Sequence, residues 1–440
     1  MEKTDVFLPK NPPFSYFCNL TDKTSTMKKL FAILLALFAF VGVKANDGAF
    51  YSNGSQLVPI NETSVKVQKE ILTITRVHDD ISGYGSLFQV HVYYEFFNPG
   101  KAKDLLVGFE SPTPDGNGYG GTLDEAYEGQ PYIYDFKVKM NNADLSYQLA
   151  HVPYKYKGNY EYDYTMSPEA YYQHGRIQDM TKEEYLAAMS KAYSSEEEYL
   201  DIYGYLFYYV YYFNAHFNQG LNVIEHTYTF KGAANVMMDY MFSYILTAAN
   251  RWANNGIDDF TLILNMGDHE SFSVDPTFFK NASEWTFEGK GRTSIRETMT
   301  MGRENVPMFH VQSGSVVYHK KNFHPEGELH IDRDGFYVFD FDSEGGNPGQ
   351  YNGFVEGLKA QYYNLKVGTI SYADDKSTYT AEERRILKNM PFAYRGYVFN
   401  DKGLQRYFDS TKWYVPNPDY KADMNKMSKD EKEWVMYWSE

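Results

Sequence analysis

From Thr63 to about Val152 apolar and polar side chains alternate with a period of two. That alternation restricts the segment to strands with one face turned inward. Val65, Val67, Ile71 and Leu72 head the first strand. In the second, Val90 and Val92 flank the polar His91, and Glu95 to Gly100 ends it in a turn, because Pro99 fixes φ and Gly100 tolerates positive φ. Asp104 to Phe109 reads as the return strand. Ile133 to Met140 and Leu145 to Val152 read as a hairpin closed by Asn141-Asn142.

The pattern changes at 154–203. Thr181-Lys182-Glu183-Glu184 is a capping box ahead of Tyr185, Leu186, Met189 and Tyr193 at helical spacing, and a second short helix is expected over Ser195 to Tyr203. This is a helical insertion between strands. Strands resume at Tyr205 to Phe213, which is aromatic on both faces and therefore expected to be central and buried. Leu221 to Phe230 is expected to pair with it, and Tyr240 to Ala248, Phe260 to Met266 and Val306 to His319 extend the set. Asp340 to Gly353 is loop. Helical spacing returns after the capping box Thr380-Ala381-Glu382-Glu383, with Pro391 expected to stop that helix. Leu404, Tyr407 and Phe408 mark a second helix. Ser428-Lys429-Asp430-Glu431 opens a third, which buries Trp434 and Val435.

The fold class expected is α+β and multidomain: an N-terminal β-sandwich with a helical insertion, then a small, mostly helical C-terminal domain. The boundaries are 46–335 for the sandwich, 154–203 for the insertion, 336–375 for an acidic, Gly-rich linker and 376–440 for the helical domain.

Ahead of all this, Lys28 and Lys29 precede an apolar run, Leu30 to Val43, and Val43 and Ala45 occupy the small-residue positions of a cleavage site. Residues 27–45 read as a bacterial signal peptide cut before Asn46. Residues 1–26 read as an upstream extension from a start codon assigned too early, with Met27 as the natural start. The apolar run is shorter than the ~20 residues that cross a bilayer, so no transmembrane span is expected in the mature chain. The single cysteine, Cys18, lies upstream of the cut, which leaves the mature chain without disulfides or thiolate metal ligands. A net charge of -16 argues against a nucleic-acid partner. The 42 tyrosines and 31 phenylalanines serve either half-buried strands or a stacking surface for sugar rings.

Near the C-terminus, Leu387-Lys388-Asn389-Met390-Pro391-Phe392-Ala393-Tyr394-Arg395-Gly396 is followed by Leu404, Tyr407-Phe408 and Trp413-Tyr414-Val415-Pro416-Asn417. Over about residues 378–438 this resembles the YARHG domain, a small, mostly helical extracellular bacterial module. Its naming motif departs here. Phe392 stands for the family's Tyr, Tyr394 for its Arg and Arg395 for its His, while Ala393 and Gly396 match. Tyr94 to Gly100, Val107 to Glu110, Leu246 to Trp252 and Phe260 to Leu262 more loosely resemble an uncharacterised family of exported β-rich domains.

No catalytic constellation stands out. His310, His319, His324 and His330 lack metal-ligand spacing. Asp340-Phe341-Asp342-Ser343-Glu344-Gly345 starts like a calcium loop, but its twelfth position is Tyr351. No catalytic residue, metal site or cofactor is therefore assigned. Arg395, Tyr394, Tyr397, Trp413 and Tyr414 are the candidate binding residues. The rival reading makes Trp413 and Tyr397 core residues and Arg395 a tie that holds its loop. The function expected is an exported cell-envelope protein that binds or scaffolds a glycan or protein partner. The alternatives are a hydrolase of an envelope polymer and a purely structural envelope protein.

Overall fold

The computed structural model describes residues 53–55, 57–59, 63–77, 86–112, 127–130, 132–153, 172–173, 176–177, 179–187, 207–235, 238–296, 306–334, 350–351, 370–371, 377, 380–411, 413–427 and 429–439. The expected signal peptide, the acidic stretch Asp340 to Gly345, the helix expected at Ser195 to Tyr203 and Ser428 lie outside these residues, as does most of 336–375. The described residues belong to one compact unit, 48–440.

In the described residues between 63 and 153, alternation has become strand. β1 (Asn53–Ser55) and β2 (Leu57–Pro59) are followed by β3 (Lys66–Val77), β4 (Leu87–Asn98) and β5 (Lys103–Pro112). Then come β6 (Ile133–Met140), β7 (Ala143–Leu145) and β8 (Gln148–Pro153). A small hairpin, β9 (Tyr172–Gln173) with β10 (Arg176–Ile177), precedes β11 (Phe207–Phe217). β12 (Gly220–Lys231), β13 (Ala233–Asn235), β14 (Met238–Ile245), β15 (Ile257–Asn265), β16 (Glu270–Val274), β17 (Trp285–Arg296), β18 (Val306–Phe323) and β19 (Leu329–Asp334) complete the sheets. β20 (Gln350–Tyr351) pairs with β21 (Ile370–Ser371).

The strands form one thirteen-stranded sheet and a four-stranded sheet, β2-β5-β11-β8. β18 is the spine of the larger sheet. β17 runs along it from Val306 to Tyr318, while β16 pairs with 308–311 and β15 with 316–323. One branch continues β15-β3-β4-β12-β6-β7 and the other β16-β19-β14-β1. β1 pairs with β14 and β2 with β5, so the segment 53–59 joins the second branch to the smaller sheet. Phe88 meets Phe242 at 4.9 Å between ring centroids, Phe96 meets Phe217 at 5.6 Å and Phe109 meets Tyr228 at 4.9 Å. The first branch therefore packs face to face with the second branch and the smaller sheet. Among the described residues, Phe88, Phe96, Phe109, Phe217, Tyr228 and Phe242 belong to this interlayer core.

Two pairings differ from expectation. β12 pairs with β4 and β6, not with β11, which lies in the other sheet between β5 and β8. The chain changes layer at Asn218 to Gly220, where Asn222 bonds the Asn218 amide and carbonyl and the Gly220 carbonyl. The Asn141-Asn142 turn forms with φ of 49° and 68°, the positive values of a type I′ hairpin. Its return strand is only three residues long before β8 crosses to the smaller sheet. In the insertion, Glu184 N donates to Thr181 Oγ1 and Thr181 N to Glu184 Oε2, closing the expected capping box ahead of the helical turn at 182–187.

The C-terminal domain holds α1 (Ala381–Tyr394), α2 (Lys402–Ser410) and α3 (Lys429–Tyr437) around Leu387, Met390, Phe408, Tyr414 and Trp434. Pro391 does not stop α1, which runs three residues further. A proline cannot donate to the carbonyl four residues back. Here the Trp434 indole Nε1 donates to the Leu387 carbonyl at 2.7 Å and satisfies it instead.

Candidate functional site

The five residues singled out in the sequence fall within the helical domain. Tyr414 is buried, and its hydroxyl donates to the Tyr397 carbonyl at 2.8 Å. Tyr397, Trp413 and Tyr394 are half-buried and pack on the domain's core. Arg395 caps α1 and donates from Nη1 to the Pro391 carbonyl at 3.2 Å. The Tyr394 hydroxyl leaves its own domain and donates to the His269 carbonyl. The histidine series is dispersed. His310 lies between the Ser271 and Ser294 hydroxyls, His319 faces Asp259, His324 meets the Asn255 carbonyl and His330 meets Ser243. Among the described residues no group of three or more His, Cys, Asp or Glu could hold a metal ion.

A second cluster lies on the outer face of β4 and β12. Alternation that turns Val90, Val92, Tyr94 and Phe96 inward turns His91, Tyr93 and Glu95 outward, about 7 Å apart along the strand. The β4–β12 register sets Glu225 opposite Tyr93 and Thr227 opposite His91. Tyr93 Oη donates to Glu95 Oε1 at 3.1 Å, and His91 Nε2 lies 3.2 Å from Glu225 Oε2. Burial of the ring, then the bond to Glu95, pushes the Tyr93 hydroxyl up from its ordinary pKa, so it stays protonated. Thr73 on β3 sits opposite His91 on the other side, and Lys137 on β6 sits opposite Thr227. The result is a patch with one half-buried aromatic ring, flanked by two carboxylates, an imidazole and hydroxyls. Sequence reasoning passed over it because its members are simply the polar half of the alternation. The spacing of His91, Tyr93 and Glu95 at i, i+2 and i+4 was the available signal.

Residues 362–440 match the YARHG domain family, so the chain carries a YARHG domain at its C-terminal end. No curated protein sequence matches this chain. A candidate nutrient-binding protein from Legionella pneumophila is similar in structure over 89% of this chain and 99% of that chain, at 17% identity and a TM-score of 0.42. An M1 zinc metallopeptidase from Deinococcus radiodurans is similar over 62% of this chain and 43% of that chain, at 7% identity and a TM-score of 0.22. This second likeness spans less than half of the peptidase's length. Among the described residues no helix is long and apolar enough to cross a membrane.

Proposed function

We propose that this YARHG-domain chain is an exported binding protein of the bacterial cell envelope that holds a neutral glycan on the outer face of β4 and β12. The sequence at 27–45 supports export, as does the extracellular setting that a resemblance to YARHG implies. The observation that carries the reading is the Tyr93 ring, half-buried on the outer face of β4 with Glu95 bonded to its hydroxyl and Glu225 opposite it on β12. An aromatic face takes the C–H face of a sugar, and carboxylates and imidazole take its hydroxyls. The charge of -16 opposes polyanions and leaves neutral sugars favoured.

The test is retention of the mature chain on immobilised envelope polysaccharides and peptidoglycan. Tyr93→Ala and Glu225→Gln should abolish retention without changing the melting temperature, since both side chains lie outside the interlayer core. Equal retention of both variants would reject this face as the site. Retention on no glycan, with capture of an envelope protein instead, would move the reading to a protein partner. Turnover of the polymer that is lost with Glu95→Gln or Glu225→Gln would make the protein a hydrolase.

A further inference from the structure

Among the described residues the helical domain meets the β-domain along the β17–β18 hairpin and at His269, and the YARHG motif lies in this contact. The β17–β18 hairpin changes register between Lys290 and Gly291. Lys290 faces Ser313 and Gly291 faces Val311, so Gln312 is left over as a bulge. A bulge re-aims the side chain it frees. The Gln312 amide Nε2 reaches out and donates to the Val415 carbonyl at 2.7 Å.

On the neighbouring strand the Arg292 guanidinium donates to the Thr411 and Tyr414 carbonyls, at 3.3 and 3.1 Å. Thr411 is the C-cap of α2. A cation there meets the unsatisfied carbonyls and the negative end of the helix dipole. Lys290 Nζ lies 2.5 Å from Asn417 Oδ1 and 2.9 Å from Asp419 Oδ2.

The motif supplies the opposite wall. Gly396 has φ of +77°, and a side chain there would overlap the Gln312 amide and the Val415 carbonyl. The Gly396 carbonyl accepts from Asn417 N at 2.7 Å, which holds the socket closed around Gln312. Tyr394, at the position of the family's Arg, donates to the carbonyl of His269. The His269 amide in turn donates to the Gln312 carbonyl at 3.2 Å. Arg395, by contrast, turns back to α1.

We infer that the YARHG motif of this chain is a docking latch, in which Tyr394 and Gly396 form a socket for the bulged, cationic β17–β18 hairpin of the preceding domain. The partner it fits is a hairpin with Lys-x-Arg on one strand and an amide-bearing bulge residue on the other. The domain's backbone carbonyls at Thr411, Tyr414 and Val415, rather than an apolar groove, read that partner. This role is separate from the glycan face, and its test uses no glycan.

A specific protease site is inserted between Gly345 and Gly346 of the full chain, the purified protein is cut, and the two fragments are analysed by gel filtration. The fragments of the unaltered sequence should elute together. The double variant K290A/R292A leaves the helical domain's sequence untouched and should weaken fragment association at least tenfold. K290E, at a half-exposed position that threatens folding least, should weaken it further at low salt than at high salt. Near-ultraviolet circular dichroism of the separated C-terminal fragment reports whether Trp434 and Trp438 remain packed. Separation of the unaltered fragments, or undiminished association of both variants, would overturn the latch.

Discussion

His226 shows how one buried side chain makes the stability of a fold depend on pH. Its ring is fully enclosed by Tyr94, Phe109, Phe136 and Tyr228, with centroids 5.5 to 6.0 Å away. Among the described residues neither of its nitrogens has a hydrogen-bond partner. Burial, with a smaller contribution from His91, pushes its pKa down to about 3. The unfolded chain takes up this proton near pH 6.5, whereas the folded chain refuses it until about pH 3. The stability is therefore fully present above pH 6.5 and is lost as pH falls towards 3, by up to about 1.4 kcal/mol per unit. His226→Phe fills the same aromatic box and removes the titration. It should lose markedly less melting temperature between pH 7 and pH 4.5 than the unaltered protein, and equal losses would show that other groups set the acid limit. Arg395 tests the other reading of the sequence. Its bond to the Pro391 carbonyl is worth roughly 1 kcal/mol. Arg395→Ala should lower the melting temperature by a few degrees while glycan retention is unchanged. Unchanged stability with lost retention would instead place Arg395 on a recognition surface.

At the scale of elements, what could be read from the sequence was local. The Thr181–Glu184 and Thr380–Glu383 capping boxes both form, because each needs only residues three positions apart. The turn at Asn141-Asn142 was legible for the same reason, though its type shows only in the backbone angles. The parallel pairing of β15 with β3, and the crossing of β8 and β12 between layers, were not. Period-two patterning fixes which face of a strand is buried, but not which strand lies beside it. The same limit hid the patch around Tyr93, since Glu225 joins His91 and Tyr93 only through β4–β12 register. Pro391 misled for a related reason: a distant indole supplies the donor that the helix lacks. Trp434→Phe removes that donor and leaves the Leu387 carbonyl unpaired inside the domain, which should cost about 1–3 kcal/mol. Adding Pro391→Ala to that variant restores a backbone N–H one turn away, so part of the loss should return. Urea titration of the two variants decides this, and a double variant no more stable than Trp434→Phe alone would refute the account.

For the molecule as a whole, the question is what fixes the two branches of the large sheet against each other, since among the described residues their strands are joined through the β17–β18 spine. Aromatic packing supplies much of the area, but one polar network ties them through named bonds. Arg76 comes from β3 in the first branch, while Glu270 on β16, Arg333 on β19 and Tyr240 on β14 come from the second. Arg76 Nη2 lies 2.8 Å from Glu270 Oε2, and Arg333 Nε lies 3.2 Å from Glu270 Oε1. Tyr240 Oη donates to Glu270 Oε1 at 3.2 Å. Arg76 also donates to the Met266 carbonyl at 2.9 Å and lies over the Tyr240 ring. The side chains of Glu270 and Arg333 are each 5% exposed and that of Arg76 is 10% exposed, so the two cations have little water to fall back on. A buried ion pair adds little to stability when compared with a well-packed apolar replacement. Removing one partner is different, because it strands charge in a low dielectric. Glu270 neutralises two guanidinium groups from opposite branches, so its loss should be felt more than the loss of either arginine. Glu270→Ala should destabilise the β-domain by about 3–5 kcal/mol, seen as a lower midpoint in urea. Glu270→Gln, which keeps the volume and part of the hydrogen bonding, should fall between that variant and the unaltered chain. A loss below about 1 kcal/mol for Glu270→Ala would mean that the aromatic core alone holds the branches together.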